Sequence, residues 1–264
     1  MTTVTLAQAH ELFNLVNAKV CCPANPAAPC IPFLYPDDGC WGRAHEMCRL
    51  MIAAGAQPQK IWIQGGLKVS SSNKPNCLVT WGWHVAPTLQ VSDGGPAQTY
   101  IVDPSLFDHP VPQAMWVSVQ GDPNPTLTPT GPEIFHLFYA PQRYDPTYAL
   151  TNGVLANYRN ELRLRAVSPA GPPPYPNCMV QPAGVQWFGT IEPNAQRRWF
   201  TFGWPANRHV FWTVMPLTPC PGGPQLSWKV AVERANANSA TYWITVTNLT
   251  AETVRFEGRF NYLN

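Results

Sequence analysis

The sequence has few charged residues and no cluster of basic ones. Asp, Glu, Lys and Arg make up 12% of the 264 residues, and the formal net charge is +2. An average soluble protein carries about twice that charged share. The densest basic stretch, residues 159–165, is explained as the solvated face of a helix. A surface that binds nucleic-acid phosphates needs a basic patch, so we expect no nucleic acid among the partners.

Long apolar runs and several signature motifs are also missing. No run of about 20 apolar residues, the length that spans a bilayer, occurs in the chain, so we expect no membrane partner. The N-terminus, from Met1 to Val4, has neither the basic start nor the apolar stretch of a signal peptide. The chain also lacks a Gly-x-Ser-x-Gly elbow, a phosphate-binding loop and a dinucleotide-binding fingerprint.

Apolar residues and proline, in contrast, are abundant. Hydrophobic residues are 45% of the chain and 30 residues are proline, which indicates a globular protein with many loops and few long helices. Five prolines and a glycine fall between Ser168 and Pro176, and such a stretch behaves as a stiff spacer. We therefore expect two domains, residues 1–168 and 177–264, joined by a linker at 169–176.

The first of these segments mixes helical and strand patterns. A capping box at Thr5 and Gln8 predicts one helix, and Asp37 or Asp38 would cap a second that begins near Cys40. Strands and a late helix are predicted at 60–64, 78–86, 98–103, 135–139 and 151–166. Beyond the linker, six short aromatic-rich segments alternate as strands do, which fits a small β-sandwich. The predicted fold class is α+β.

Eight cysteines suggest an oxidising compartment rather than the cytosol, so we expect a secreted or otherwise exported protein. Structural zinc is the competing interpretation. The adjacent Cys21 and Cys22 lack the two-residue gap of zinc ligands and no second half-site follows, so we expect no metal. The disulfides that we predict join Cys21 or Cys22 to Cys30, Cys48 to Cys77, and Cys178 to Cys220, which leaves two free thiols.

Cys40 stands out because it directly follows the turn-forming pair Asp38-Gly39 at a helix start. A cysteine there lies beside unpaired backbone N–H groups and the positive end of the helix dipole, and both favour thiolate over thiol. Its own N–H would point toward an oxyanion formed at an attacked carbonyl. These features suggest a nucleophile, although a disulfide or a buried thiol would explain Cys40 equally well.

A thiolate hydrolase also needs a base and a group that orients the base. His84 lies in a predicted strand, where alternation places it on the face of two small residues, Gly82 and Ala86. Asp103 ends the next strand and could accept the imidazole Nδ1–H from there. Taken singly, a packed core histidine and a turn-forming aspartate before proline are the simpler interpretations of His84 and Asp103.

Together, three segments resemble those of the bacterial protein-glutaminases, which deamidate glutamine side chains in proteins. They are Tyr35-Pro-Asp-Asp-Gly-Cys-Trp-Gly-Arg-Ala-His-Glu-Met, Trp81-Gly-Trp-His-Val-Ala and Ile101-Val-Asp-Pro-Ser-Leu-Phe107. The resemblance extends over about residues 5–168. It implies that Cys40 is the nucleophile, His84 the general base and Asp103 the orienting carboxylate.

The same resemblance carries further expectations. The family shares its core with the transglutaminases, so an antiparallel sheet with a nucleophile-bearing helix is implied. Trp41 and Trp83 stand where the family commonly has tyrosine, and we expect them to shape the glutamine pocket, although core packing would also explain them. Family members are secreted, are made with a pro-region and need no cofactor. The expected partners are proteins or peptides with accessible glutamines, and the expected state is a monomer.

Other functions remain open at this stage. A transglutaminase uses the same triad and the same thioester, but an amine attacks second, and a cysteine protease would cleave the main chain. A different class of function is a binding protein or a toxin-delivery protein, whose C-terminal β-domain would be the functional part. In that case Trp204 and Trp212 would contact sugar or protein. Tryptophans at strand spacing are more often part of a core.

Overall fold

The structure is a computed structural model that describes residues 3–178 and 184–262. The helices are α1 (Leu6–Asn17), α2 (Cys40–Ala53), α3 (Gln113–Ser118) and α4 (Ala149–Ala166). Before the linker, the strands are β1 (Gln59–Ser70), β2 (Leu78–Val91), β3 (Gln98–Ile101), β4 (Val111–Pro112), β5 (Thr126–Thr130), β6 (Ile134–His136) and β7 (Arg143–Tyr144). After the linker they are β8 (Val185–Ile191), β9 (Gln196–Pro205), β10 (Val210–Pro216), β11 (Leu226–Glu233), β12 (Ser239–Asn248) and β13 (Val254–Tyr262).

These elements follow the predicted order, but several of their ends differ from the prediction. The strand predicted at 135–139, for example, is β6, which ends at His136. The capping box of α1 is present as predicted at Thr5 and Gln8. The prediction that Asp37 or Asp38 caps α2 is wrong, because Gly39 occupies that position and no side chain caps the helix. The Asp38 carboxylate instead accepts from the Gly39 N–H at 2.8 Å. The strand predicted at 98–103 ends at Ile101.

The main sheet is antiparallel, with the strand order β4-β3-β2-β1-β5. β1 and β2 form its long central pair, which is interrupted by a bulge between Gln64 and Leu67. Gly65 and Gly66 occupy the bulge. The Gly66 N–H donates to the Asp122 carboxylate at 2.7 Å, and a Cβ at Gly65 would collide with the same carboxylate. A side chain at Gly65 would therefore displace the Asp122 carboxylate from the bulge.

Helices α1 and α2 cover one side of this sheet. Phe13 from α1 and Met51 from α2 are fully buried in a cluster with Leu89 of β2, as expected for amphipathic helices packed on a strand. The N-terminal end of α2 packs on the sheet through Cys40 and Ala44, which share a buried cluster with Trp62 and Val85. No helix in the described ranges has both the length and the apolar character needed to cross a bilayer.

The residues after the linker form two three-stranded antiparallel sheets, β10-β13-β8 and β11-β12-β9. One apolar cluster draws side chains from both sheets and includes Phe256, Ile244 and Val246. Trp204 and Trp212 are buried in this cluster, with exposures of 8% and 3%. The hypothesis that these two tryptophans contact sugar or protein is therefore wrong, because their rings fill the space between the sheets.

The linker is packed against both parts of the chain. The Arg255 guanidinium donates to the Pro172 carbonyl at 2.9 Å and to the Ala170 carbonyl. On the other side, the Tyr175 N–H donates to the Ser72 carbonyl at 2.7 Å, and the Tyr175 side chain is buried. Carbonyls of this proline-rich stretch are therefore satisfied by donors from the other side of the chain.

Three disulfides are present among the described residues: Cys21–Cys30, Cys22–Cys220 and Cys77–Cys178. The first confirms one of the predicted pairings. The predicted Cys48–Cys77 and Cys178–Cys220 bonds are wrong, because the fold, and not sequence spacing, decides which cysteines approach each other. Cys48 points into the core from α2 and is free. The disulfide content is consistent with an exported protein.

Thiol titration tests this arrangement directly. We expect two free thiols per chain under denaturing, non-reducing conditions, and we expect peptide mapping to place the label on Cys40 and Cys48. Label on any of the six other cysteines, or fewer than two thiols, would contradict the arrangement.

Candidate active site

Cys40 is the first residue of α2 and is 5% exposed. The chain enters the helix through Gly39, whose φ of 79° lies in the left-handed region and thus favours glycine. A Cβ at this glycine would overlap the Tyr158 ring. The Tyr158 hydroxyl also donates to Asp38 at 2.7 Å. The turn before the cysteine is therefore fixed by close packing against α4.

His84 and Asp103 form a buried pair. The His84 Nε2 atom lies 2.8 Å from Asp103 Oδ2, and the two residues are 1% and 2% exposed. The prediction that Asp103 binds Nδ1 is thus wrong about the ring nitrogen. Nδ1 is buried and has no hydrogen-bond partner of normal geometry among the described residues. Nδ1 is therefore the ring nitrogen that is available to exchange a proton with the Cys40 thiol.

Two further donors hold the Asp103 carboxylate. The Trp116 indole N–H donates to Oδ2 at 3.0 Å, and the Ser105 backbone N–H donates to Oδ1 at 3.2 Å. Both oxygens of Asp103 are therefore occupied. A carboxylate with these partners cannot turn away from His84 without leaving a buried donor unpaired.

The local charges favour the ionised forms of the pair. Burial opposes the charge on Asp103, but His84, Trp116 and Arg43 outweigh it and hold the pKa of Asp103 below its usual value. Burial also opposes the charge on His84, yet Asp103 and Cys40 raise the pKa of His84 to about 9. At neutral pH, His84 is an imidazolium facing a carboxylate.

Two tryptophan rings enclose His84. The Trp81 ring lies parallel to the imidazole, with centroids 4.5 Å apart and an interplanar angle of 8°. The Trp116 ring lies 5.7 Å away at 30°. The sequence predicted small neighbours for His84, Gly82 and Ala86, and did not predict the Trp81 ring, which lies beside the bulge in the opposite strand. Aromatic faces stabilise a cation through their quadrupole.

Trp41 and Trp83 lie beside Cys40, and both pack on the apolar cluster that contains it. Their ring centroids are 5.7 Å apart, and the His136 ring meets both edge-on, at 5.3 Å and 5.0 Å. Burial, with Arg143 nearby, lowers the pKa of His136 to about 4, so this ring is neutral. The three rings form an aromatic wall next to the thiol, and Trp41 and Trp83 are only partly buried in it.

The sequence did not single out several residues that shape the site. Arg43 is 2% exposed and lies one turn after Cys40, but the sequence interpretation assigned it no role. The sequence did not predict that Trp116 and Trp81 contact His84, because ring contacts between separate elements leave no local sequence pattern. A buried arginine in an otherwise apolar helix face was the one available signal.

No group of three or more His, Cys, Asp or Glu side chains within residues 3–178 and 184–262 is arranged to hold a metal ion. His45 instead lies 2.8 Å from the buried Lys60 amine, which also donates to the Ile134 carbonyl at 2.7 Å. This contact ties β1 to β6 and α2, and it uses the histidine that a metal site on α2 would need.

One family model and several solved structures resemble part of this chain. A family model described as Glutaminase matches residues 9–120, a range that contains all three sequence motifs. A crystal structure of protein-glutaminase is 28% identical, covers 64% of this chain and 96% of its own, and has a TM-score of 0.53. The NMR structure of protein-glutaminase from Chryseobacterium proteolyticum is 28% identical over 67% of this chain and 95% of its own, with a TM-score of 0.54.

A structure of pro-protein-glutaminase is 27% identical, with a TM-score of 0.54, over 67% of this chain and 63% of its own. No curated protein is significantly similar to the chain. These matches confirm the resemblance to the protein-glutaminases that the motifs indicated. The fold, mixed helix and antiparallel sheet, is similar to that of the protein-glutaminase structures.

Proposed function

We propose that this chain deamidates glutamine side chains in proteins or peptides, giving glutamate and ammonia. The observation that carries the proposal is the buried His84–Asp103 pair beside a free cysteine at a helix N-terminus. The similarity to protein-glutaminase structures supports the choice of substrate. Cys40 is the nucleophile, His84 the acid and base, and Asp103 the orienting carboxylate.

The first half-reaction forms a thioester. The Cys40 thiolate attacks the side-chain amide carbon of glutamine, and a carbon–sulfur bond forms as the carbonyl electrons move to oxygen. The N–H groups at the start of α2 stabilise this oxyanion. The carbon–nitrogen bond then breaks, and the His84 imidazolium transfers its Nδ1 proton to the leaving nitrogen. Ammonia departs and a γ-glutamyl thioester remains.

The second half-reaction uses water. Neutral His84 takes a proton from a water molecule, whose oxygen attacks the thioester carbon. The carbon–sulfur bond breaks, glutamate is released, and the thiolate–imidazolium pair is restored. Asp103 keeps the imidazole in one orientation through both steps. Every proton moves between His84, the substrate and water, so these residues complete the reaction by themselves.

The aromatic wall defines the expected substrate pocket. A glutamine side chain has an apolar stem and a planar amide, and both suit the faces of Trp41 and Trp83. We assign these two tryptophans to glutamine binding. The catalytic domain in this proposal is residues 1–168, with a transglutaminase-like core. Residues 177–264 form an accessory β-sandwich domain connected by the linker at 169–176.

Ammonia release from a denatured, glutamine-rich protein tests the proposal, with and without an added primary amine. The expected result is ammonia together with conversion of glutamine to glutamate, seen as a mass increase at each site. Incorporation of the amine would instead show a transglutaminase, and new N-termini a protease. Absence of all three products would refute catalysis by this site.

The pH dependence of the reaction follows from the charge on His84. Because ammonia leaves with a proton from the imidazolium, activity requires the protonated ring and falls as the pH rises through its pKa of about 9. We expect the pH profile of kcat/KM for a glutamine peptide to have its basic limb near pH 9. A basic limb close to 6.5, the ordinary value of histidine, would contradict the ion pair.

A further inference from the structure

The turn before Cys40 is held by an unusual set of side-chain donors. Four successive carbonyls, those of residues 35–38, each accept a hydrogen bond from one of two side chains. The Arg43 Nη1 group donates to the outer two, at 3.0 Å and 2.6 Å. The Trp81 indole N–H is shared between the inner two, at 3.1 Å and 3.0 Å. We call residues 35–39 the nucleophile turn.

The backbone continues this pattern into the helix. The Gly39 carbonyl accepts from the Arg43 backbone N–H at 3.1 Å. Because a peptide unit is planar, a bonded carbonyl also fixes the N–H on its other side. The peptide that joins Gly39 to Cys40 therefore cannot rotate, and the Cys40 N–H keeps its direction out of the helix end. That N–H is the oxyanion donor of the proposed reaction.

Both side chains that hold the turn also reach the other reacting groups. Trp81 stacks on His84 with parallel rings 4.5 Å apart, so one indole contacts the base with its face and the nucleophile turn with its N–H. Arg43 is almost fully buried, and its positive charge acts on Cys40 and Asp103. One of its terminal nitrogens, Nη2, is buried without a hydrogen-bond partner in the described chain.

The bulge in the sheet explains how Trp81 reaches its place. Strict alternation along β2 would put Trp81 and Trp83 on the same face. The bulge at Gly65-Gly66 breaks the register there, and beyond it Trp81 pairs with Leu67. Both residues belong to the apolar cluster that contains Ile63, the residue that pairs with His84. Trp83 stays on the opposite side, with Trp62 and Val85. The two tryptophans of one short motif therefore have separate tasks.

We propose that Trp81 and Arg43 are positioning residues that lock the nucleophile turn against His84, so that thiol, base and oxyanion donor keep one geometry. This inference rests on the proposed function, because that function makes Cys40 and His84 the reacting groups. What it states physically concerns only how these two groups are held relative to each other. Misplacement of reacting groups by about 1 Å can cost roughly a hundredfold in rate. A side chain that merely stabilised the turn would change the melting temperature and leave the chemistry intact.

The test uses Trp81→Phe in the full chain, because phenylalanine keeps a stacked ring and removes the indole donor. Trp228→Phe is the matched control. Its indole N–H also donates to a backbone carbonyl, that of Trp212 at 3.2 Å, but it lies in β11, after the linker. Two readouts are compared: kcat and KM for a glutamine peptide, and the pH dependence of Cys40 alkylation by iodoacetamide.

For Trp81→Phe we expect a loss of kcat of roughly ten- to a hundredfold with little change in KM. We also expect slower alkylation at neutral pH, because Cys40 and His84 would no longer be held in one geometry. Trp228→Phe should match the wild type in both readouts. Arg43→Lys, which keeps the charge but cannot span two carbonyls in the same way, should lose kcat to a similar degree, and Trp81→Phe decides the matter if Arg43→Lys does not fold.

The two readouts separate this inference from the proposed function. Alkylation needs no glutamine substrate, so it can be measured whether or not the chain releases ammonia. If the wild type releases no ammonia and Trp81→Phe slows alkylation, the proposed function is refuted and the positioning role is supported. A chain that releases ammonia normally in Trp81→Phe, with unchanged kcat and an unchanged alkylation profile, overturns the positioning role. A lower melting temperature without either kinetic change overturns it as well.

Discussion

Replacement of Cys40 by alanine is expected to abolish ammonia release, with a loss of at least about 10⁴-fold in kcat, as for other enzymes that lose a covalent nucleophile. No other described free thiol can substitute, because Cys48 is 1% exposed and points into the core from the same helix. Burial raises the pKa of Cys48 to about 12, so it remains a thiol in the working pH range. The measurement is ammonia release from a glutamine peptide.

Cys48→Ala is the natural control for this variant. It removes the second free thiol from α2 and leaves the nucleophile turn and His84 untouched. We expect its activity to match that of the wild type, with a modest loss of stability from the small cavity. Ammonia release that persists in Cys40→Ala, or that vanishes in Cys48→Ala with the protein still folded, would show that the wrong cysteine has been assigned.

The elements that carry the proposed triad could be predicted because each leaves a local pattern. A turn pair followed by a helix pattern marks Cys40, and period-two alternation marks the neighbouring strands, but the resemblance to the protein-glutaminases was needed to select His84 and Asp103. The capping box at Thr5 and Gln8 was found in the same way. Such signals depend on neighbours within a few residues, which is the range over which helix caps and strand alternation act.

The features that were missed depend on contacts between distant segments. Cys22 bonds to Cys220, 198 residues away, and no spacing rule selects that partner. The stacking of Trp81 on His84 occurs beside a register shift in the opposite strand, between Gln64 and Leu67, which the sequence does not reveal. The role of Arg43 was not predicted because its partners are backbone carbonyls. Every residue has a backbone carbonyl, so such partners cannot be identified from the sequence pattern. The local parts of the site were therefore predictable, and the supports around them were not.

Asp103→Asn is expected to lower kcat by roughly 10²- to 10⁴-fold, in line with the loss of an orienting carboxylate from other triads. Asp103 Oδ2 accepts from both His84 and Trp116. An asparagine would either direct its amide N–H group at these two donors, or keep its oxygen there and direct the N–H group at the Ser105 backbone N–H, which now donates to Oδ1. The imidazolium would also lose its counter-charge, so the basic limb of the pH profile should move below about 9.

Asp108→Asn provides the matched control, because Asp108 also pairs with a histidine, His109, at 2.5 Å, but on the protein surface. Exposed pairs contribute little to stability, and this one lies in a loop outside the proposed site, so kcat and the basic limb should not change. A basic limb that stays near 9 in a folded Asp103→Asn protein would mean that another group sets the charge on His84. The orienting role of Asp103 would then be refuted, because a carboxylate buried against imidazolium cannot be neutralised without lowering the pKa of that ring.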